Sequence, residues 1–267
     1  MRHLIGRKLG ALVPGPARFR ILPALLAILV TVLVSVLCAA EGIREGSEQA
    51  PSSIVIGFVG GFVRHDNPHH GPVRLAQRMH RSLPKDAYIQ IFENRHRKTA
   101  YHTILRLLDR NHDGVLSEDE KANARIILFG HSWGASATVL LARELKHEGI
   151  PVLLTVQVDS VAKFWQKDGV IPENVLAAVN FYQPHGIVRG RAEITAADPT
   201  RTEILGNYLY DYKRAPVKCE GTSWFERVFT PDHMQSECDP QLWNQVETLV
   251  LRRTQPQPGV VAQAPRP

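Results

Sequence analysis

The sequence after residue 40 lacks any cluster of Lys and Arg interleaved with aromatic residues. The whole chain has a formal net charge of +6, but residues 1–40 supply five positive charges and no negative ones, so the remainder carries only +1. The basic balance therefore says nothing about nucleic acid, and we expect no nucleic-acid partner. Internal repeats are also absent from the sequence, and residues 41–267 suit one domain with its own core.

Acidic residues are missing from the first twenty positions, which carry five basic side chains: Arg2, Arg7, Lys8, Arg18 and Arg20. An almost unbroken apolar run follows over residues 21–40 and ends in two alanines. This order predicts a secretory signal peptide. The run is also close to the roughly 20 residues that span a bilayer, so an uncleaved membrane anchor is the alternative. Either way we expect an exported protein, periplasmic or extracellular, which meets a membrane only through this segment if it stays uncleaved.

The rest of the chain divides by composition into a linker, a domain and a tail. Residues 41–53 are small and polar, which predicts a linker. Residues 254–267 are rich in Pro, Gln and Ala, and they have too few apolar side chains to fold alone, so we expect a disordered tail. The predicted domain covers residues 54–253.

Short β-branched or aromatic runs alternate with segments of helical spacing within this domain. The predicted strands are residues 54–59, 88–92, 126–129, 152–158 and 177–182, and the predicted helices include residues 73–81, 101–108, 135–145 and 239–252. This alternation predicts an α/β fold, with a mostly parallel sheet and helices on both faces. In such sheets, functional side chains lie in loops at the carboxyl ends of the strands.

The third predicted strand runs directly into a G-x-S-x-G pentapeptide, Gly130-His131-Ser132-Trp133-Gly134, and a helix follows. The two glycines let strand and helix approach each other without a Cβ clash. The helix N-terminus directs its free N–H groups towards the serine hydroxyl, where they stabilise developing negative charge. This combination resembles the nucleophile elbow of the α/β-hydrolase family.

The resemblance implies that an acid and then a histidine follow Ser132 along the chain. Asp159 stands directly after the predicted strand 152–158, which is similar to its placement in thioesterase-type and lipase-type relatives. Many relatives carry the acid one strand later, but this chain has Gln183-Pro184-His185 there, without a carboxylate. Asp159 is therefore the candidate acid, and Asp211 is the alternative.

His233 stands in the predicted loop before the last helix, where the resemblance places the catalytic base. His185 is the alternative. The order Ser132, Asp159, His233 is that of the α/β-hydrolases rather than of chymotrypsin-like or subtilisin-like proteases. The implied reaction is attack by Ser132 on an ester or thioester carbonyl, with His233 as base and Asp159 orienting it. It calls for no organic cofactor.

The resemblance also implies an oxyanion hole made of backbone N–H groups. Relatives commonly carry His-Gly-x after the first strand, whereas this chain has Ile56-Gly57-Phe58. A backbone donor needs only the turn geometry, so the candidate donors are the N–H of Phe58 and that of Trp133. An ordinary Gly-rich loop after the first strand is the alternative interpretation.

Residues 109–120 match the twelve-residue EF-hand calcium loop at every diagnostic position. Oxygen-bearing side chains stand at loop positions one, three and five, Gly114 stands at position six, and a glutamate closes the loop. The predicted ligands are Asp109, Asn111, Asp113, the Val115 carbonyl, Ser117 and Glu120. The sequence has no second such loop, so we expect one structural Ca²⁺ site that steadies the segment leading to the elbow. An acidic solvated turn is the alternative.

Only two cysteines follow Cys38, namely Cys219 and Cys238, which flank His233 in the sequence. Their position predicts a disulfide that closes a loop around this histidine, in agreement with export. Two buried thiols are the alternative. Taken together, the sequence predicts an exported serine hydrolase acting on a small-molecule or lipid-like acyl substrate. The alternatives are a non-catalytic calcium-binding module on the same scaffold and a serine peptidase.

Overall fold

A computed structural model describes residues 50–219 and 231–255. The predicted signal or anchor segment, residues 41–49 of the predicted linker and most of the predicted tail lie outside the described residues. Within them, no helix has both the length and the apolar character needed to cross a bilayer.

The described domain contains one six-stranded sheet and one pair of very short strands. The six strands are β1 (Ile54–Val59), β2 (Tyr88–Glu93), β3 (Ile126–His131), β4 (Leu154–Val158), β6 (Ala177–Tyr182) and β8 (Glu203–Leu209). Their order across the sheet is β2-β1-β3-β4-β6-β8, and every neighbouring pair is parallel. The short pair consists of β5 (Val170–Ile171) and β7 (Thr195–Ala196).

Helices connect these strands and cover both faces of the sheet. They are α1 (Gly71–Ser82), α2 (Arg97–Leu108), α3 (Glu118–Ala122), α4 (Trp133–His147), α5 (Pro231–Cys238) and α6 (Pro240–Thr254), and a 3₁₀ turn spans Asn94–His96. One apolar cluster joins β1 and β3 to α2 and α4. A second cluster joins the same strands to α1 and α6. The predicted fold class is therefore confirmed.

The two clusters follow the alternation of side chains along each strand. In β1, Ile54 and Ile56 belong to the first cluster, whereas Val55 and Val59 belong to the second. All four are buried. A strand buried on both faces reads as a continuous apolar run, because neither face turns to water. This is why residues 54–59 could be identified from the sequence alone.

The sequence predicts no strand beyond residue 182, so β8 is missing from the predicted sheet. The structure places Glu203–Leu209 at the edge of the sheet instead, parallel to β6. Most of its residues are partly or fully exposed. An edge strand of this kind lacks the apolar run that identifies a central strand, and Gly206 interrupts its pattern at an irregularity of the pairing.

Candidate active site

Ser132 lies on a tight turn between β3 and α4. Its φ of 58° and ψ of −126° are unusual for a residue other than glycine. The turn brings helix and sheet so close that a Cβ on Gly134 would lie 2.3 Å from the carbonyl oxygen of Phe58. On Gly130 a Cβ would lie 2.5 Å from the backbone of Gly134. Both glycines of the pentapeptide are therefore required by close backbone approach.

Ser132, His233 and Asp159 form one chain of hydrogen-bonding contacts. The Nε2 atom of His233 lies 2.9 Å from Ser132 Oγ, and its Nδ1 atom lies 2.6 Å from Asp159 Oδ2. All three residues are buried. The sequence thus identified three side chains that the fold brings together over sequence separations of 101 and 74 residues.

The surroundings of His233 differ from the prediction in one respect. His233 belongs to helix α5, not to a loop, and α6 follows almost at once. The expectation of a loop is wrong because Pro231 begins a helix that is only eight residues long. Such a short segment offers too few turns for an apolar periodicity to be recognised.

Asp159 has a positive φ of 45° and follows β4 directly. Besides its contact with His233, it accepts hydrogen bonds from the backbone N–H of Gln183 at 3.1 Å and from the Gln183 side-chain amide at 3.0 Å. Gly190 packs against it so tightly that a Cβ there would lie 2.0 Å from Asp159 Oδ1. The carboxylate is therefore fully satisfied and held in one orientation.

The two alternative residues pair with each other. His185 Nε2 lies 3.1 Å from Asp211 Oδ1, and both side chains are partly exposed. The hydrogen bond from His185 to Asp211 contributes to lowering the pKa of Asp211, and backbone N–H groups of Lys213 and Arg214 act in the same direction against partial burial. The contact to Ser132 Oγ is made by His233 instead.

The two candidate oxyanion donors differ in how well their positions fit that role. Trp133 is the first residue of α4, where backbone N–H groups have no partner inside the helix. Phe58 lies within β1, between Phe92 and Gly130 of the two neighbouring strands. Its N–H belongs to the interior of the sheet, so its position does not fit the predicted role.

The turn that does reach Ser132 begins two residues after Phe58. A Cβ on Gly60 would lie 2.7 Å from Ser132 Cβ. The side chain of Asn94 holds this turn by donating to the carbonyl oxygen of Gly61 at 2.6 Å, and Lys163 Nζ donates to Asn94 Oδ1 at 3.2 Å. Neither Asn94 nor Lys163 could be recognised from the sequence, because nothing in their local pattern relates them to residue 60.

Aromatic side chains lie beside Ser132. The ring of Phe62 meets that of Trp133 edge-on, with centroids 5.5 Å apart. Lys163 Nζ lies 4.8 Å from the centroid of the Trp133 ring. Phe62 is 82% exposed, so the approach to Ser132 presents an apolar surface beside a cationic group.

Further buried ionisable groups surround His233. Among the described residues, His131, Asp159 and His233 have ligand-type atoms within 4.8 Å of one another. This spacing alone would suit a metal ion. However, the facing atoms of Asp159 and His233 already contact each other, and His131 is paired with the buried carboxylate of Glu237. We therefore interpret the group as hydrogen-bonded side chains.

The predicted calcium loop connects α2 to α3. Gly114 has a φ of 80°, and its N–H donates to Asp109 Oδ2 at 3.0 Å. The other carboxylate oxygen of Asp109 is buried and lacks a hydrogen-bond partner among the described residues. Asn111 Nδ2 donates to Asp113 Oδ2 at 2.8 Å. The loop therefore has the turn that the motif requires and one acceptor that nothing satisfies.

Glu120 is buried at the start of α3. It accepts hydrogen bonds from the backbone N–H of Ser117 at 2.9 Å, from the Ser117 hydroxyl at 2.8 Å and from the backbone N–H of Arg110 at 2.8 Å. These bonds, led by those from Ser117, lower the pKa of Glu120 to about 2. Bidentate binding of a cation by Glu120 would have to replace part of this arrangement.

Cys219 and Cys238 are joined in a disulfide, with their Cα atoms 5.4 Å apart. Cys238 is the last residue of α5. The Sγ atom of Cys219 also lies 3.1 Å from the carbonyl oxygen of Met234. The bridge therefore fastens the end of the helix that carries His233.

No protein-family model matches the chain, and no curated protein matches it. Solved structures give distant similarities. An esterase from Pseudomonas putida is 12% identical, covering 80% of this chain and 78% of its own, with a TM-score of 0.43. A cutinase-like protein from Cryptococcus sp. is 13% identical, covering 78% and 97%, with a TM-score of 0.41. A thioesterase of prodiginine biosynthesis from Streptomyces coelicolor is 13% identical, covering 70% and 91%, with a TM-score of 0.32. At such scores, the chemistry of this chain has to be derived from its own side chains.

Proposed function

We propose that the protein is a serine hydrolase that cleaves carboxylic esters or thioesters through Ser132, His233 and Asp159. The observation that carries this proposal is the unbroken contact from Ser132 Oγ to His233 Nε2 and from His233 Nδ1 to Asp159. Three buried residues at distant positions in the chain would not converge in this order if they served packing alone. A nucleophile beside a base that a third group orients is the signature of an activated serine.

Each residue has one role in the proposed reaction. His233 takes the proton of Ser132 Oγ as the oxygen attacks the carbonyl carbon, and it returns the proton to the leaving alcohol or thiol. Asp159 keeps the His233 ring oriented and stabilises the imidazolium. The Trp133 N–H and the turn at Gly60 support stabilisation of the oxyanion. Water then attacks the acyl-enzyme, with His233 again acting as the base.

The side chains around Ser132 favour a substrate with an apolar acyl group. Phe62 and Trp133 flank Ser132 with aromatic surface, and an acyl chain packed there would lose contact with water. Esters and thioesters share the carbonyl that Ser132 attacks. Amides share it too, which is why peptidase activity is an outcome of the test and not part of the proposal.

Covalent labelling with a fluorophosphonate tests the proposal without knowledge of the substrate. We expect the wild-type protein to be modified at Ser132, as located by mass spectrometry of peptides, and Ser132→Ala to remain unmodified. The Ser136→Ala variant is the matched control because Ser136 is a buried serine in α4, four residues after Ser132, where it bonds Gln166. A properly folded wild-type protein that is not labelled would favour a non-catalytic binding module. A panel of p-nitrophenyl esters and peptide amides then ranks the acyl substrates.

We further propose that residues 109–120 bind one structural Ca²⁺. The residues that would hold it are Asp109, Asn111, Asp113, Val115, Ser117 and Glu120. The buried, unsatisfied oxygen of Asp109 supports this, since a buried charged acceptor without a partner is costly. The hydrogen bonds from Ser117 and Arg110 that lower the pKa of Glu120 favour the ionised carboxylate that a cation needs. The ion would steady the segment before β3 and would take no part in the hydrolysis.

The remaining proposal concerns location. The apolar segment over residues 21–40 and the two paired cysteines both favour export to the periplasm or the exterior. Calcium is plentiful enough outside the cytoplasm to fill a weak site.

A further inference from the structure

A second histidine–carboxylate pair lies directly behind His233. Its members are His131, the residue before the nucleophile, and Glu237, four residues after His233 in helix α5. His131 Nδ1 contacts Glu237 Oε2, and both side chains are buried. The ring of His131 lies against that of His233, with centroids 4.6 Å apart and planes inclined by 31°. The proposed reaction itself uses neither residue.

We propose that His131 and Glu237 form a charged pair that positions His233 against Ser132 and sets the pH range in which His233 acts as a base. The inference rests on the proposed role of His233. His131 and Glu237 are positioning residues, because the reacting atoms belong to Ser132 and His233.

The positioning role follows from what the pair connects. His131 is the last residue of β3 and is covalently next to Ser132, whereas Glu237 shares helix α5 with His233. Glu237 also accepts a hydrogen bond from the Gly71 N–H at 2.9 Å and lies 3.2 Å from His70 Nδ1. A single buried carboxylate thus links the helix of the base to the strand of the nucleophile and to the start of α1.

Ser236 reinforces this connection from the same helix. Its Oγ lies 3.0 Å from His131 Nε2 and donates to the carbonyl oxygen of His233 at 2.7 Å. Both nitrogens of the His131 ring therefore face groups of α5. Because the ring has a partner on each side, it cannot turn without disturbing the helix that carries the base.

The surroundings of each member favour the charged form of the pair. Burial by itself lowers the pKa of His131, but the charge and hydrogen bond of Glu237, together with the charge of Asp159, outweigh it and raise the pKa above its usual value. Burial likewise raises the pKa of Glu237, but His131 and His70 outweigh it and hold this pKa well below its usual range. An imidazolium and a carboxylate that face each other away from water stabilise each other in this way.

A protonated His131 places a positive charge against the ring of His233, and like charges repel at this spacing. The other charged or titratable groups near His233 are Asp159 from the loop after β4, Glu237 from α5 and His70 beyond Glu237. Tyr212, bonded to Asp239, lies near Asp159. Asp159 is the carboxylate in contact with His233, and His131 is the ring that packs against it. Its charge therefore extends the activity of the base towards lower pH.

The test is the pH dependence of the labelling rate of Ser132 with a fluorophosphonate, which needs no natural substrate. For His131→Gln we expect the acidic limb of the profile to move up by about one pH unit, because the cation is lost while Glu237 stays negative. The double variant His131→Gln, Glu237→Gln removes both charges. Its acidic limb should lie at a pH between that of wild type and that of the single variant. His185→Gln is the matched control, because His185 pairs with Asp211 and not with His233.

Identical limbs in all variants, with only a uniform loss of rate, would overturn the proposal and leave the pair a structural one. If the variants do not fold, nitrogen NMR of the wild-type histidines decides the question. We expect both ring nitrogens of His131 to carry protons at pH 7. A neutral His131 at that pH would contradict the proposal. A wild-type protein that reacts with no fluorophosphonate at any pH would refute the hydrolase function, and the NMR result would still report on the pair.

Discussion

At the scale of single residues, Asp159 depends on neighbours in the segment that follows β6. Gln183 follows the next strand of the sheet, β6, and donates two hydrogen bonds to Asp159. Its amide thus supports a carboxylate one strand away instead of replacing it. Gly190 leaves the space that Asp159 occupies. The acid can follow β4 in this chain because the loop after β6 is shaped to receive it.

Substitutions of Ser132, His233 and Asp159 should separate the proposed roles of nucleophile, base and orienting acid. We expect Ser132→Ala and His233→Ala each to lower ester hydrolysis by roughly 10⁶-fold, because each removes a reacting group. Asp159→Asn should lower it by roughly 10⁴-fold, because the base keeps its place but loses its orientation and charge partner. Steady-state rates with a p-nitrophenyl ester, measured beside circular dichroism as a check of folding, provide the comparison. Full activity in His233→Ala would contradict the assignment of the base.

The site residues that could be identified from the sequence stand in recognisable local patterns. His131 and Glu237, which could not be identified, stand in none. Ser132 stands in a pentapeptide, and Asp159 follows an apolar run. In contrast, His131 is the variable position of the same motif, and Glu237 is one acidic residue in a polar segment. Their pairing depends on where α5 packs against β3. Position in space, and not a pattern along the chain, makes them part of the site.

At the scale of elements, α5 has more attachments than its eight residues would suggest. The disulfide fastens its last residue, Glu237 ties it to β3 and α1, and Trp243 in α6 donates to the carbonyl oxygens of Ser236 and Glu237. A helix this short is marginal alone. Tertiary contacts therefore hold His233 in position, and helix propensity contributes little.

The disulfide gives a prediction at this scale. Mass analysis of exported protein without reduction should find Cys219 linked to Cys238. The double variant Cys219→Ser, Cys238→Ser should lose about 3 kcal/mol of unfolding free energy, since the bridge closes a loop of about 20 residues. Denaturant unfolding measures this loss. Two free thiols in the exported protein would contradict the predicted disulfide.

Calcium should stabilise the segment between α2 and β3 without acting in the reaction. A chelator is expected to lower the melting temperature by an amount that follows RT ln(1 + [L]/Kd). Glu120→Gln should weaken calcium binding and reduce this chelator effect. Melting and ester hydrolysis are to be measured on the same sample.

Two outcomes would contradict the calcium proposal in different ways. Loss of activity on chelation at temperatures where the fold is intact would indicate a direct role of the ion in hydrolysis. Unchanged melting, with no calcium found by elemental analysis, would leave residues 109–120 as an acidic turn. Glu118→Gln is a suitable control, because Glu118 is exposed in the same helix and pairs with Lys121.

At the scale of the whole molecule, the parallel sheet decides where the site forms. Ser132 and Asp159 follow the adjacent central strands β3 and β4, and Gln183 follows β6 beside them. Of the five strands that the sequence predicted, β1, β3 and β4 are fully buried, and β6 and β2 are largely buried. The sixth, β8, lies at the edge and was missed because water reaches much of it. Burial thus determined which strands could be recognised.

The buried pair should make stability depend on pH. The folded state raises the pKa of His131 and lowers that of Glu237. The pair therefore stabilises most between their usual values of 4.5 and 6.5, and this stabilisation is lost as the pH rises through the raised pKa of His131 or falls through the lowered pKa of Glu237. Glu237→Gln should melt well below wild type at about pH 5 to 6, and the difference should shrink at alkaline pH.

Calorimetry across pH checks this prediction, with Glu247→Gln as the control. Glu247 pairs with Arg78 at the partly exposed surface between α1 and α6. Loss of this ion pair should therefore lower the melting temperature only slightly, and the difference should vary weakly with pH. A constant difference between Glu237→Gln and wild type at every pH would mean that His131 carries no proton in the folded protein.

The distance along the chain between Ser132 and His233 has a consequence for biosynthesis. Synthesis reaches the base 101 residues after the nucleophile, when all six strands of the sheet have already been made. Contacts between remote segments form late, because a long loop must close first. A nascent or truncated chain therefore holds a serine without its base and is chemically silent. The proposed enzyme acquires its activity only when its C-terminal helices dock, so hydrolysis itself would report that folding is complete.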